Sequence, residues 1–237
     1  MTRTRANILG VIAVAALLAS APCAARTQDE RLFETFTSCD RTFFETLAKE
    51  RSHWSEVMEL TAERDIAYPV VQDRRYERIN WQKLRRPIIV GGVRLIAYHD
   101  AKTESPTAAG SASKLLYWGF LAEGDPADLA EKLRPHIRNG KAMSPAKGVD
   151  WPAWIRGELR HTSDSIDQWT KMEISLGTDP TPNTVERVLI IEGTATGPGL
   201  ELATEKATVE CSLQGSLQTD FLHFHRPDLS DASIADW

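Results

Sequence analysis

Two short stretches carry the residue types from which a site could be built. His223-Phe224-His225 sets two imidazoles two residues apart. On a β-strand such residues project from one face, so both could ligate one divalent ion, with Asp220 or Asp228 adding an oxygen. No third His lies nearby in the sequence. The competing reading is an edge strand with its polar residues outward and Phe221 and Phe224 inward. Trp151-Pro152-Ala153-Trp154 is the second stretch. Two indoles around a Pro can form a platform for sugar rings or an anchor for a protein partner. They can equally fill the gap between a helix and a sheet.

Other chemistry finds little footing. Ser111-Ala112-Ser113-Lys114 has the Ser-x-x-Lys spacing of penicillin-binding enzymes. That spacing needs a helical turn to bring amine to hydroxyl, whereas here it runs into a strand-like segment, and no Lys-Thr-Gly companion exists. The sequence contains no paired-His metalloprotease motif, EF-hand loop, phosphate-cradling loop, dinucleotide fingerprint or Gly-x-Ser-x-Gly elbow. A glycosidase pair cannot be picked by inspection from 33 acidic residues. No motif calls for a cofactor.

The cysteines are more informative. Arg3 and Arg5 precede an apolar run from Ile8 to Ala21, and small residues follow through Ala25. This is the pattern of a secretory signal peptide, and the run is too short for a membrane-spanning helix. Residues 1–25 are therefore set apart as the signal, with 26–237 as a single α+β domain and a candidate sub-boundary at 141–152. Cys23 offers a lipid-anchor reading, but Pro22 occupies the position where such signals carry a small residue. Cys39 and Cys211 remain; in an oxidising compartment two such thiols are expected to pair, the alternative being two buried free thiols. Closing a loop of that length stabilises by roughly 5 kcal/mol in the chain-entropy model. Neither Cys has a cationic setting that would make it a nucleophile.

The elements that must position these residues follow from pattern. Thr27-Gln28-Asp29-Glu30 reads as a capping box, and Leu32, Phe33, Phe36, Cys39, Phe43, Phe44 and Leu47 recur at helical spacing, predicting one helix over 27–52. A short helix over 52–66 ends before Pro69. Ile88–Tyr98 reads as a hairpin turned by Gly91-Gly92. Residues 99–113 read as an exposed loop, and 114–122 as a strand. Asp125 and Pro126 start a second helix that stops near Asn139-Gly140. Strands are expected at 154–161, 168–176, 185–195 and 207–217. The fold class is α+β: a mainly antiparallel sheet, with the N-terminal helix and a second helix in the middle packed on one face.

Composition bounds the function. Lys and Arg total 28 against 33 Asp and Glu, a net charge of -5. Basic residues concentrate at 72–86, where Arg74, Arg75, Arg78, Arg85 and Arg86 interleave with Tyr76 and Trp81, diluted by Asp73 and Glu77. An acidic chain with so diluted a patch is not a nucleic-acid binder. After the signal, no apolar run is long enough to span a bilayer. The expectation is a periplasmic or secreted binding protein without catalysis, directed at a protein partner in the cell envelope. An inhibitor of a wall-degrading enzyme, or an immunity protein against a toxic one, would fit, with the 99–113 loop as inserting element. The alternatives are a periplasmic hydrolase of unknown substrate and a metal- or small-ligand-binding module using His223 and His225.

Overall fold

The capping box forms as the sequence predicts, but the helix it starts is short. Glu30 N donates to Thr27 Oγ1 and Thr27 N donates to the Glu30 carboxylate, opening α1 (Gln28–Phe36). In place of one helix over 27–52 there are three, α1, α2 (Thr42–Lys49) and α3 (Arg51–Val57). The break between α1 and α2 has a local cause. Thr35 and Thr37 hydroxyls donate to carbonyls three residues back, Cys39 takes a left-handed φ of 54°, and the Asp40 side chain accepts from Thr42 N. Short polar side chains compete here with the helix ladder. Cys39 is thus held in a turn, not on a helical stripe.

The computed structural model describes residues 25–75, 81–106, 112–173, 175–176, 178–193 and 206–235. The expected signal segment through Ala24, which includes Cys23, and Ser111 lie outside the described residues. So does the tip of the expected 99–113 loop.

The second helix expected over 52–66 ends at Val57. A hairpin follows, β1 (Leu60–Glu63) and β2 (Ile66–Pro69), and Arg64 at φ 52° occupies its turn. Pro69 closes a two-stranded edge, where its missing N–H costs no ladder bond. The Gly91-Gly92 hairpin is present, with φ of 53° and 80° at its two glycines. Its strands, β3 (Gln82–Val90) and β4 (Val93–Pro106), run well beyond the predicted ends. The exposed loop expected over 99–113 is corrected by β4: residues 99–106 are strand, and His99, Asp100, Ala101 and Lys102 are buried. Small and charged residues masked the alternation.

The remaining elements are β5 (Ala112–Glu123), α4 (Pro126–Leu133), β6 (Ser144–Pro145), β7 (Ala153–His161), β8 (Thr170–Met172), β9 (Thr184–Gly193), β10 (Lys206–Gly215), α5 (Thr219–His225) and α6 (Asp231–Ala235). Asp125 caps α4 through Ala127 N, with Pro126 at the first position. The helix stops before Pro135 and gives way to 3₁₀ turns at Arg134–His136 and Gly140–Ala142, short of the expected stop at 139–140.

The large sheet has the order β3-β4-β5-β10-β9-β7-β6, with β8 also on β7, and every pairing among these strands is antiparallel. Strands from before the 141–152 segment (β3, β4, β5) and after it (β10, β9, β7) lie side by side in this one sheet, joined where β5 pairs with β10. The fold is α+β with a mainly antiparallel sheet.

Cross-strand register sets the faces, because directly opposed residues point the same way. One row runs Asp100, Trp118, Cys211, Leu189, Arg156 across β4, β5, β10, β9 and β7. It looks toward the helices, where Phe33, Phe36, Phe43, Phe44 and Leu47 pack with Phe120, Leu133 and Phe221 in the main core. The adjacent row, His99, Gly119, Glu210, Ile190, Ile155, looks the other way. Ile155, Val188 and Ile190 form a small second cluster on that side.

Candidate functional site

The disulfide predicted from the sequence is present. Cys39 and Cys211 are bonded, both fully buried, with Cα atoms 5.2 Å apart. It ties the α1–α2 turn to the centre of the sheet, in the middle of the row that ends in Asp100 and Arg156.

Trp151 and Trp154 part company. Trp151 is 46% exposed and its indole N–H donates to the Glu192 carboxylate at 2.8 Å. Trp154 leads β7, packs against the main core and is half-buried. The platform of two indoles is therefore one exposed anchor and one packing residue.

The strand expected at His223 and His225 is corrected to helix α5. Residues two apart on a helix diverge by about 200° instead of sharing a face. His223 is near solvent, 3.1 Å from Asp231. It lines a groove of about 520 Å³ with Glu63, Arg64 and Asp65. His225 is buried against Trp169 and Phe221, with Nε2 3.0 Å from the Ile166 carbonyl. Only an N–H satisfies a carbonyl, so Nε2 carries the proton, and the buried Nδ1 has no partner. Burial pulls its pKa down to about 4 against the help of the Ile166 carbonyl, and Arg187 adds repulsion. Among the described residues no group of three or more His, Cys, Asp or Glu is arranged to hold a metal ion. Of the two proposed oxygen ligands, Asp228 is bound to arginines, and Asp220 accepts from Phe221 N.

Two buried arginines stand out. Arg226, just past α5, is fully buried, and its Nη2 donates to Asp100 at 2.7 Å and Asp228 at 2.8 Å. Arg74 completes a quartet, 3.0 Å from Asp100 and 2.9 Å from Asp228. The Arg226 guanidinium lies 4.4 Å from the Trp118 ring centroid and 5.1 Å from that of Phe44. Burial opposes the charge of Arg226, but Asp100 and Asp228 outweigh it and hold its pKa above the ordinary range. Burial likewise works against the Asp228 carboxylate, and Arg226 and Arg74 hold its pKa below the ordinary value.

Arg156, at the far end of the same row, is 3% exposed. Its Nη1 donates to the Arg138 carbonyl and its Nη2 to the Thr37 carbonyl at 2.6 Å, while Nε has no partner. Among the described residues no carboxylate forms an ion pair with it. Its strand neighbour Glu158 is taken by Arg187 at 2.7 Å. Burial therefore lowers the Arg156 pKa to about 10; Glu158 partly opposes this, and Arg187 and Arg138 add to it. Arg156 lines a groove of about 620 Å³ between the 3₁₀ turns and β7–β8, with Arg134, Ile137, Lys141, Glu158 and Lys171. Arg134, Lys141 and Lys171 are exposed and make no ion pair among the described residues.

On the opposite face, His99 Nε2 lies 3.1 Å from Glu210 Oε1. The two reach each other across β5 because Gly119 stands between them; a Cβ there would meet Val209 O at 2.2 Å. Trp81 stacks on His99 at 4.2 Å. Burial works against the Glu210 charge, but His99 and a Thr208 hydrogen bond keep its pKa below the ordinary range.

The charged cores were missed in the sequence because Asp100 fell in a segment read as loop and Arg74 in one read as a diluted basic patch, while Asp228 was weighed only as a metal ligand and Arg226 was given no role. One signal for Arg156 was available: a strand of alternating Trp154, Arg156, Glu158 and Arg160 presents a polar row where one face must be inward.

No family model, curated protein or solved structure matches the chain. Among the described residues no helix is long and apolar enough to cross a membrane.

Proposed function

We propose that the chain is an exported binding protein without catalysis, acting on a protein partner in the cell envelope in the manner of an inhibitor or immunity protein. The observation that carries this reading is Trp151. Of the large apolar side chains among the described residues, only it and Ile89 are exposed. Trp151 is also pinned by its bond to Glu192, so little side-chain freedom is lost on docking. Trp is the residue type most enriched at binding hot spots, where truncation costs about 2 kcal/mol or more. The buried disulfide supports the export part, since such bonds persist in oxidising compartments.

The test is affinity capture from envelope extract of the native host, comparing the wild-type chain with Trp151→Ala. A specific protein retained by the first and lost by the second, with unchanged thermal unfolding, supports the reading. Capture of the same proteins by both, or of none, overturns it.

A further inference from the structure

The groove over Arg156 is a second, separate place where this molecule has chemistry to offer. Its floor is the Arg156 guanidinium, buried and without an ion-pair partner among the described residues. Buried charges are paired or bound because an isolated one is costly. Arg226 meets that condition with two aspartates of its own, whereas Arg156 meets it only with two backbone carbonyls. A guanidinium has five donor hydrogens in a fixed planar fork. Two are used, and Nε is among those left. The rim repeats the sign: Arg134, Lys141 and Lys171 surround the opening and make no ion pair among the described residues, although Lys171 stands opposite Glu158 in register and acts on Glu173. The one carboxylate on the wall, Glu158, is neutralised by Arg187, at 2.7 Å from Nη2 and 2.8 Å from Nε. In a chain of net charge -5 this concentration of cations is local. Low-dielectric walls lined by one sign of charge focus field and gather counter-ions.

We propose that the groove formed by the 3₁₀ turns, β7 and β8 is a binding site for a polyanion, a ligand with clustered carboxylate or phosphate oxygens. One anionic group sits against Arg156 and others are held by Arg134, Lys141 and Lys171. A volume of about 620 Å³ lies within the range of small-ligand sites and accommodates more than a single oxyanion. Arginine forks suit both oxygen geometries, so the chemistry is shared by a free phosphate or polycarboxylate and by an acidic peptide segment.

The test uses the disulfide-bonded protein in low-salt buffer, titrated calorimetrically with tripolyphosphate, with citrate and with a short poly-glutamate peptide. At least one binds, and the affinity falls about tenfold or more in the Arg134→Gln, Lys141→Gln, Lys171→Gln triple variant. These three side chains are exposed, so the variant keeps its fold. The Nε–H resonance of Arg156, assigned by its loss in Arg156→Lys, shifts as ligand is added to the wild type. Binding by the two small anions alone identifies a free ligand; binding by the peptide identifies an acidic segment. Absence of binding by all three, affinity unaltered in the triple variant, or an unmoved Arg156 resonance overturns the proposal. Trp151→Ala leaves polyanion binding intact, so failure here is distinguishable from failure of the Trp151 reading.

Discussion

One cross-strand row ends at Asp100, which holds Arg226, and at Arg156, with the Cys39–Cys211 bond between the two ends. Both guanidiniums are buried and both come from an acidic chain. Their surroundings differ in one respect. Arg226 has Asp100 and Asp228 within 2.8 Å and is stacked on Trp118. Arg156 has carbonyl oxygens only. The first arrangement closes on itself and binds chain segments far apart in sequence. The second is left electrostatically open beside a groove. Burial alone therefore does not tell a structural charge from one that awaits a ligand; the partner set does.

The largest effect should come from the bond between the two ends. Replacing Cys39 and Cys211 together by Ala releases a closure spanning 172 residues, and the loss should approach about 5 kcal/mol. Urea unfolding of oxidised wild type and double variant measures it. The two ends should respond unequally. Thr37, which accepts from Arg156, lies two residues before Cys39, whereas Asp100 is on a central strand. Amide exchange should rise at residues 37–41 before it rises in β4. Uniform acceleration would mean that the disulfide supports both ends alike.

Arg226→Met comes next. It leaves Asp100 and Asp228 buried, with Arg74 still paired to both. Breaking a buried pair by removing one partner costs about 3–5 kcal/mol. The same quartet has an acid limit. The pKa of Asp228 is held below its unfolded value, so its contribution is present above that value and is lost as pH falls through the folded one.

His225 tests the field around the other end. It is the chain neighbour of Arg226, yet it faces Trp169, and the charges acting on it are Arg187, Arg160 and Asp40. Its folded pKa of about 4 lies below the ordinary His value. The unfolded chain therefore binds the extra proton between the two values, and stability falls as pH drops through that window. The loss amounts to about 3 kcal/mol between neutral pH and pH 4. Comparing the pH dependence of unfolding for wild type and His225→Gln isolates it. A slope unchanged by the substitution would place the proton elsewhere.

The difference between the two ends also explains what the sequence made legible. Apolar spacing placed the helical region at the start of the described chain, though not its division into three helices, and the strands around Val209 and Leu189, because each buries a stripe of fixed period; the Gly91-Gly92 pair marked its own turn. The cysteine pairing followed from compartment and count. Trp151 stood at a visible loop boundary. The charged ends were hidden for a common reason. A hydrophobic pattern reads Asp100, Lys102 and Arg74 as surface, and nothing local announces that Arg226 lies across the fold from Asp100, 126 residues away. The His223 and His225 reading failed on period: Thr219–His225 is too short to show helical spacing, and α5 exists because Phe221, Leu222 and His225 pack inward together.

The smallest effect is the one that separates the two arginines most sharply. Arg156→Met removes a buried cation that Glu158 and Asp40 compensate only in part and without contact, so most of the desolvation cost of that charge disappears with it. What remains unsatisfied is the carbonyl of Thr37 and that of Arg138. Orphaned carbonyls cost about 1–3 kcal/mol each when fully buried, but Arg138 is exposed and water can replace the guanidinium there. The net change should be about 1 kcal/mol, well under that of Arg226→Met. Unfolding both variants in the same urea series decides the matter. If Arg156→Met destabilises as much as Arg226→Met, the Arg156 end is a closed structural site after all. If it does not, that end can lose its charge cheaply, as expected where no ion-pair partner among the described residues is stranded by the loss.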